Sequence, residues 1–126
     1  MTASKHDPNC VFCKIAAGQI PSKKVYEDDE LYAFHDIHPW APVHFMIVPR
    51  QHIASLNDAD MSHQAVLGKI LAKAGELARA QGATDGFRTI INTGRVGRQE
   101  VYHLHVHIIG GPDPLGPMIV KQKSGA

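Results

Sequence analysis

What the chain lacks narrows its identity before anything it contains. Only two cysteines, Cys10 and Cys13, occur in 126 residues. That is too few for a secreted disulfide framework, and in a reducing cytosol such a pair more often serves metal or redox chemistry. No apolar run approaches the ~18 residues that a membrane span needs, so no membrane partner is expected. No basic block accompanies the formal net charge of +1, so nonspecific nucleic-acid binding has no electrostatic driver and no nucleic-acid partner is expected. Internal repeats and low-complexity segments are missing too. Met1 to Asn9 is polar and contains Pro8, unlike a signal or transit peptide, and the cytoplasm is the expected compartment.

What is present is ordinary in bulk: an apolar fraction of 44% and a charged fraction of 20%, in a length that suits one domain with a real core. Residues 1–9 read as a disordered lead-in, 10–111 as the domain, and 112–126 as an irregular tail punctuated by Pro112, Pro114, Gly116 and Pro117. Cys10 to Ala17 reads as a short helix ended by Gly18. Val25-Tyr26-Glu27 and Leu31 to Asp36 read as a hairpin across the turn Asp28-Asp29-Glu30. His38-Pro39-Trp40-Ala41-Pro42 is a proline-fixed loop, and His44 to Val48 is a third strand. Asp58 or Asp60 caps a helix continuing to about Gln81, with Gly82 as its stop. Leu67, Ile70, Leu71, Ala74, Leu77 and Ala78 follow helical spacing and form its apolar face. Phe87 to Asn92 is a fourth strand. Several strands and one long helix indicate an α+β architecture.

One stretch does not belong to an ordinary core. In Gln99-Glu100-Val101-Tyr102-His103-Leu104-His105-Val106-His107-Ile108-Ile109-Gly110-Gly111, three histidines alternate with aliphatic residues. Alternation predicts a strand reached from the fourth strand by the turn Thr93 to Arg98. Leu104, Val106 and Ile108 then face the core, and the histidines line the opposite face, each roughly 7 Å from the next. A neutral imidazole is available at pH 7 as a base or nucleophile. Attack by such a nitrogen on phosphorus gives a phosphohistidine and divides one displacement into two easier ones. The central histidine is the natural nucleophile, because its neighbours can then reach the phosphoryl oxygens. The turn Gly94 to Gly97 offers backbone N–H groups to the same oxygens. The rival reading is a catalytic metal held by all three histidines.

His103-Leu-His105-Val-His107-Ile-Ile resembles the His-φ-His-φ-His-φ-φ signature of the histidine triad (HIT) family. Phe34-His35-Asp36-Ile37-His38-Pro39, Ala41-Pro42-Val43-His44-Phe45 and Gln99-Glu100-Val101-Tyr102-His103 resemble its purine nucleoside phosphoramidase branch, and Pro114-Leu-Gly-Pro-Met118 resembles bacterial members. The resemblance implies an antiparallel sheet of about five strands with one long and one short helix per subunit, and a homodimer. It also implies hydrolysis of purine nucleoside 5'-phosphoramidates to nucleoside monophosphate and amine. By position, His105 resembles the nucleophile and His107 the group that hydrogen-bonds the phosphate or leaving group. His44 resembles a supporting active-site histidine. Asn92 and the turn Gly97-Arg98-Gln99-Glu100 resemble the α-phosphate contacts, and Asp36 the ribose-binding carboxylate. Val11, Phe12, Ile15, Phe34 and Ile37 resemble the base pocket. Two departures stand out: Arg98 replaces the second glycine of many relatives, and Glu100 stands where animal relatives carry serine. Two other readings of the same pocket are a nucleotide-binding regulatory module and a dinucleoside polyphosphate hydrolase.

Cys10 and Cys13 supply two ligands with zinc-knuckle spacing, whereas a structural site needs four. In some HIT proteins a histidine after the third strand and the first histidine of the triad complete such a site. Here those positions match His52 and His103, and thiolate with imidazole suits zinc. The resemblance thus implies a structural Zn²⁺, closed and separate from the chemistry, with no cofactor required for catalysis.

Overall fold

The architecture is that of a computed structural model, which describes residues 6–122. Residues 1–5 of the expected lead-in and 123–126 of the expected tail lie outside the described residues. The elements run α1 (Val11–Ala16), β1 (Lys24–Glu27), β2 (Leu31–His35), β3 (Val43–Pro49), a 3-10 turn (Met61–His63), α2 (Gln64–Ala80), β4 (Phe87–Ile90) and β5 (Val106–Gly110). The strands form one antiparallel sheet in the order β1-β2-β3-β5-β4, so the expected α+β class and five-stranded sheet are found.

Sequence alternation explains how the sheet divides its two faces. Every residue of β3 is buried, because both faces of this central strand are covered. Phe45 and Ile47 pack with Leu31 and Ala33 of β2, Val106 and Ile108 of β5, and Ile70, Ala74, Leu77 and Ala78 of α2. Met46 and Val48 point the other way, joining Tyr32, Phe34 and the α1 residues Phe12, Cys13 and Ile15. Strand neighbours necessarily face opposite sides. The long helix therefore covers one face, and the short helix and the histidines share the other.

The helix boundaries have local causes. Of the two candidate caps, Asp60 is used, but on the 3-10 turn that leads into α2: its carboxylate accepts from Ser62 N–H at 2.9 Å, and its own N–H donates to His63 Nδ1 at 3.0 Å. α2 itself starts after His63 without a side-chain cap. Cys10 caps α1, its sulfur accepting from Cys13 N–H at 3.4 Å. Gly18 and Gly82, with φ of +81° and +105°, follow the two helices and take the left-handed turn that ends them.

Three expectations need correction. The histidine run is not one long strand: β5 begins only at Val106, and residues 99–105 are irregular. Their backbone is held instead by single anchors such as Leu104 N–H to Ile53 O at 2.7 Å. Inward–outward alternation still persists through this segment, with Leu104 in the main core and His103 on the opposite side. The fourth strand likewise ends at Ile90, so a long connection rather than a short turn leads to β5. Leu71, expected on the apolar face of α2, is 55% exposed, because the helix contact is centred on Ile70, Ala74 and Leu77. Among the described residues, no helix is long and apolar enough to cross a membrane.

Ile70 is 1% exposed, so Ile70→Ala should lower unfolding free energy by about 2–5 kcal/mol. A urea titration checks this; an unchanged midpoint contradicts the assigned core.

Candidate functional site

The site is built where β3, β5 and the irregular segment before β5 meet beneath α1. His105 is buried, and its Nδ1 lies 2.8 Å from the carbonyl oxygen of His103. A carbonyl only accepts, so Nδ1 carries the proton and Nε2 keeps its lone pair. Burial lowers the pKa of His105, opposed by that hydrogen bond and by the charges of Asp36 and Glu100. The ring is thus neutral near pH 7, with one basic nitrogen free for chemistry.

A second chain of contacts fixes His107. Trp40 N–H donates to His44 Nδ1 at 3.0 Å, so the proton of neutral His44 sits on Nε2. That Nε2–H lies 3.0 Å from His107 Nδ1 and 3.3 Å from Asp36 Oδ2. His107 Nδ1 therefore accepts, and its proton sits on Nε2, making that atom a donor. Burial pushes His107 down to about 4, helped by the neighbouring His105 and His44, and burial also lowers His44. The rings of His105 and His107 are 5.0 Å apart at their centroids. One neutral imidazole with a free lone pair thus stands beside another with a free N–H.

Asp36, His44 and His107 also bring their ligand atoms within 4.8 Å of one another. Their protons argue against a cation there. With Nδ1 of His44 occupied by Trp40 N–H, its Nε2 points a proton, not a lone pair, into the group.

The expected phosphate turn is shaped by backbone constraints. A Cβ on Gly97 would lie 2.6 Å from both the nitrogen and the oxygen of Thr93, so only glycine fits. Arg98 holds φ of +61°, a left-handed conformation that favours glycine; the sequence departure thus sits at a strained position. The Gln99 side chain is committed to the fold: Oε1 accepts from Gly94 N–H at 3.0 Å, and Nε2 donates to Ala54 O at 2.8 Å and Val101 O at 3.0 Å. It clamps the turn from behind. Glu100 is exposed and Asn92 half-buried. Of the expected base pocket, Phe12, Ile15 and Phe34 come together in the smaller core, whereas Val11 and Ile37 are exposed. Phe12 meets Phe34 at 5.4 Å and His105 at 5.0 Å, both edge-on.

The structure also gathers Cys10, Cys13, His52 and His103, whose ligand atoms all lie within 4.8 Å of one another. His103 Nδ1 is 3.3 Å from Cys10 Sγ and 3.4 Å from Cys13 Sγ, and His52 Nδ1 is 3.5 Å from Cys13 Sγ. Tetrahedral zinc with ordinary bond lengths separates sulfur from nitrogen by about 3.5 Å, so the donor set fits. His103 Nε2–H donates to Pro49 O at 2.7 Å, which turns the Nδ1 lone pair toward the sulfurs, as an outer-shell partner does. Backbone N–H groups of Cys13 and Asp7 reach Cys10 Sγ and Cys13 Sγ at 3.4 and 3.3 Å, and such donors favour thiolate. Burial pushes the Cys13 thiol up to about 11 and His103 down to about 4. The group can hold a metal ion.

Asp7, Trp40 and Pro49 orient these side chains, Trp40 and Pro49 through backbone atoms that the sequence does not mark, and Asp7 through its N–H on Cys13 Sγ and its carboxylate 4.0 Å from His52 Nε2. Asp7 belongs to the expected lead-in, where only its proximity to the cysteines was a signal.

The depressed histidines set a pH dependence. Unfolding returns His107 from about 4 to the ordinary imidazole value of about 6.5. Between these values the unfolded state binds more protons, so stability rises with pH and is lost on acidification from about 6.5 toward 4. Melting temperatures measured from pH 7.5 to 4.5 should fall accordingly. His107→Gln should flatten the slope; parallel slopes would show that His107 does not contribute.

Comparison with known proteins places this geometry. The family model described as "Scavenger mRNA decapping enzyme C-term binding" matches residues 9–121. Protein HitA of Neisseria gonorrhoeae is 55% identical over 104 residues, 82% of this chain and 97% of that protein. The purine nucleoside phosphoramidase of Escherichia coli K12 is 47% identical over 110 residues, 86% of this chain and 92% of the relative. The crystal structure of a HIT family hydrolase from Legionella pneumophila superposes with a TM-score of 0.82 at 45% identity, covering 86% of this chain and 98% of that one. With its three alternating histidines set on the end of a five-stranded antiparallel sheet, the chain belongs to the histidine triad family.

Proposed function

We propose that the protein hydrolyses purine nucleoside 5'-phosphoramidates, such as adenosine 5'-phosphoramidate, to the nucleoside monophosphate and an amine. The observation that carries this reading is the tautomer of His105: Nδ1–H is engaged by the His103 carbonyl, leaving Nε2 as a neutral nucleophile beside the Nε2–H of His107. The name of the E. coli relative supports the substrate class, and the Legionella structure supports hydrolysis.

In the proposed reaction His105 Nε2 attacks the α-phosphorus. An N–P bond forms to His105 as the P–N bond to the amine breaks. The amine leaves with the bonding pair and takes a proton from solvent, while His107 Nε2–H hydrogen-bonds the phosphoryl group or the departing nitrogen. Water then attacks phosphorus, the His105–P bond breaks, and the monophosphate is released with a proton. His105 is never required to lose its Nδ1 proton. Amides of the Gly97 turn and Asn92 hold the phosphoryl oxygens, Asp36 the ribose, and Phe12, Ile15 and Phe34 with Val11 and Ile37 the base. Glu100 contributes its backbone N–H at the phosphate.

We further assign a structural Zn²⁺ to Cys10, Cys13, His52 and His103, consistent with their spacing. Bound there, zinc supplies a closed cross-link between α1, the segment after β3 and the segment before β5. A homodimer is the proposed assembly, because β4 is an open sheet edge and carries the exposed apolar Phe87. Thiolate ligands fit a reducing compartment, in line with the cytoplasm.

His105→Asn should bind AMP normally but lose turnover of adenosine 5'-phosphoramidate by a factor on the order of 10⁴ or more; undiminished turnover refutes the nucleophile assignment. Metal analysis should find one zinc per subunit, and chelation should lower the melting temperature. A metal-free protein whose melting is unmoved by chelator would remove zinc from the account.

A further inference from the structure

The four-residue Cys/His group and the nucleophile share one residue, and that residue acts through two different atoms. The His103 ring is occupied at both nitrogens, Nδ1 by Cys10 and Cys13 and Nε2–H by Pro49 O, and it is fully buried. Its backbone carbonyl accepts the Nδ1–H of His105 at 2.8 Å. Whatever holds the ring of His103 therefore also aims the carbonyl that selects the tautomer of His105.

No sheet ladder does this work, because β5 begins at Val106 and residues 103–105 lie outside it. The segment is tied by Leu104 N–H to Ile53 O and by the His103 ring. The cysteine segment also reaches the nucleophile directly. Phe12, two residues after Cys10 and just before Cys13, packs edge-on against His105 at 5.0 Å and His103 at 6.1 Å. His52 closes the far side, its ring edge-on to His103 at 5.0 Å.

We propose that Cys10, Cys13 and His52 are positioning residues for the nucleophile: by gripping the His103 ring they hold its carbonyl on His105 Nδ1–H and keep Nε2 unprotonated and aimed outward. The Cys/His group is thus part of the catalytic apparatus, although none of Cys10, Cys13 and His52 needs to touch substrate. The grip is exerted through the cation that the four side chains can hold, so chelation releases it as substitution does. A groove of ≈ 500 Å³ lined by Cys10, His52, Asp7, Glu100 and Tyr102 opens onto the group, giving chelators and metal ions a route to it.

If the grip is lost, His105 is free to rotate or to exchange tautomers, and a ring protonated at Nε2 cannot attack. Cys10, Cys13 and His52 make no phosphate or base contact, and Phe12 and Ile15 remain packed with Phe34 and Met46, so nucleotide binding survives. This separates the proposal from a simple loss of fold. The kinetic part rests on the phosphoramidase reading; the spectroscopic part does not.

The test compares wild type, EDTA-treated wild type, Cys13→Ser and His52→Asn at pH 7.5. Ile70→Val, in the core of α2 and remote from the group, serves as a destabilised control. Three quantities are measured: kcat and KM on adenosine 5'-phosphoramidate, AMP affinity by calorimetry, and the ¹⁵N signature of the His105 ring. Wild type should show a single Nδ1–H tautomer, and the perturbed samples a mixture of tautomers. Their kcat should fall about 10–100-fold, the range seen when outer partners of a site are lost, with AMP affinity unchanged. An unchanged His105 tautomer, or an unchanged kcat, in folded perturbed samples overturns the proposal. So does an equal fall in kcat in Ile70→Val at matched melting temperature. Should Cys13→Ser not fold, the partly exposed His52→Asn and the chelated wild type decide the outcome. If wild type itself fails to turn over the phosphoramidate, the functional reading falls, while the ¹⁵N comparison still decides the coupling.

Discussion

A single hydrogen bond, from His105 Nδ1–H to the carbonyl of His103, is the constraint on which the rest depends. Burial alone makes His105 neutral, but a neutral imidazole has two tautomers and only one of them presents a lone pair at Nε2. The carbonyl chooses between them because it has no proton to give. From that choice follows the division of labour along the histidine run. His105 keeps a nucleophilic nitrogen, His107 becomes a donor through the Trp40–His44 relay, and His103 turns away toward the cysteines.

The fold serves this arrangement by loading the two faces of one sheet differently. α2 closes the apolar face around Phe45, Ile47, Val106 and Ile108, which makes β3 and β5 a rigid floor. On the opposite face, α1 is too short to supply a full helical layer, and the space beside it is where the imidazoles collect. Burial there is deep enough to depress all three histidines of the run, yet each retains a hydrogen-bond partner. A stripe of imidazoles that would be a liability in an ordinary core is tolerated because every ring has a definite proton assignment.

Much of this was legible in the sequence, and the limits of legibility have physical causes. The five strands, the long helix and the inward facing of Leu104, Val106 and Ile108 follow from alternation and spacing, which are local, whereas the choice between Asp58 and Asp60 as the cap, settled on the 3-10 turn before α2, was not legible. The late start of β5 was not legible, because alternation of side chains persists whether or not the backbone is paired. Leu71 was assigned to the core since helical spacing defines a stripe, not which edge of that stripe the sheet reaches. The Cys10/Cys13/His52/His103 group needed a family pattern, as its members lie far apart in the chain. The orienting contributions of Trp40 and Pro49 come from backbone atoms, which side-chain identity does not announce, whereas Asp7 adds to its N–H a carboxylate 4.0 Å from His52 Nε2. Gln99 was expected in the phosphate turn, and its use as a clamp on Gly94, Ala54 and Val101 emerges only from the fold.

The central claim is that His105 Nε2 bonds to phosphorus, and direct capture of the intermediate tests it most sharply. Wild-type protein would be mixed with adenosine 5'-phosphoramidate, quenched in alkali during turnover, digested, and mapped by mass spectrometry. The account predicts an acid-labile adenylyl adduct on the peptide carrying the histidine run, localised to His105 and absent from His105→Asn. Turnover with the adduct on His107, or with no protein adduct under conditions that preserve phosphohistidine, would contradict it.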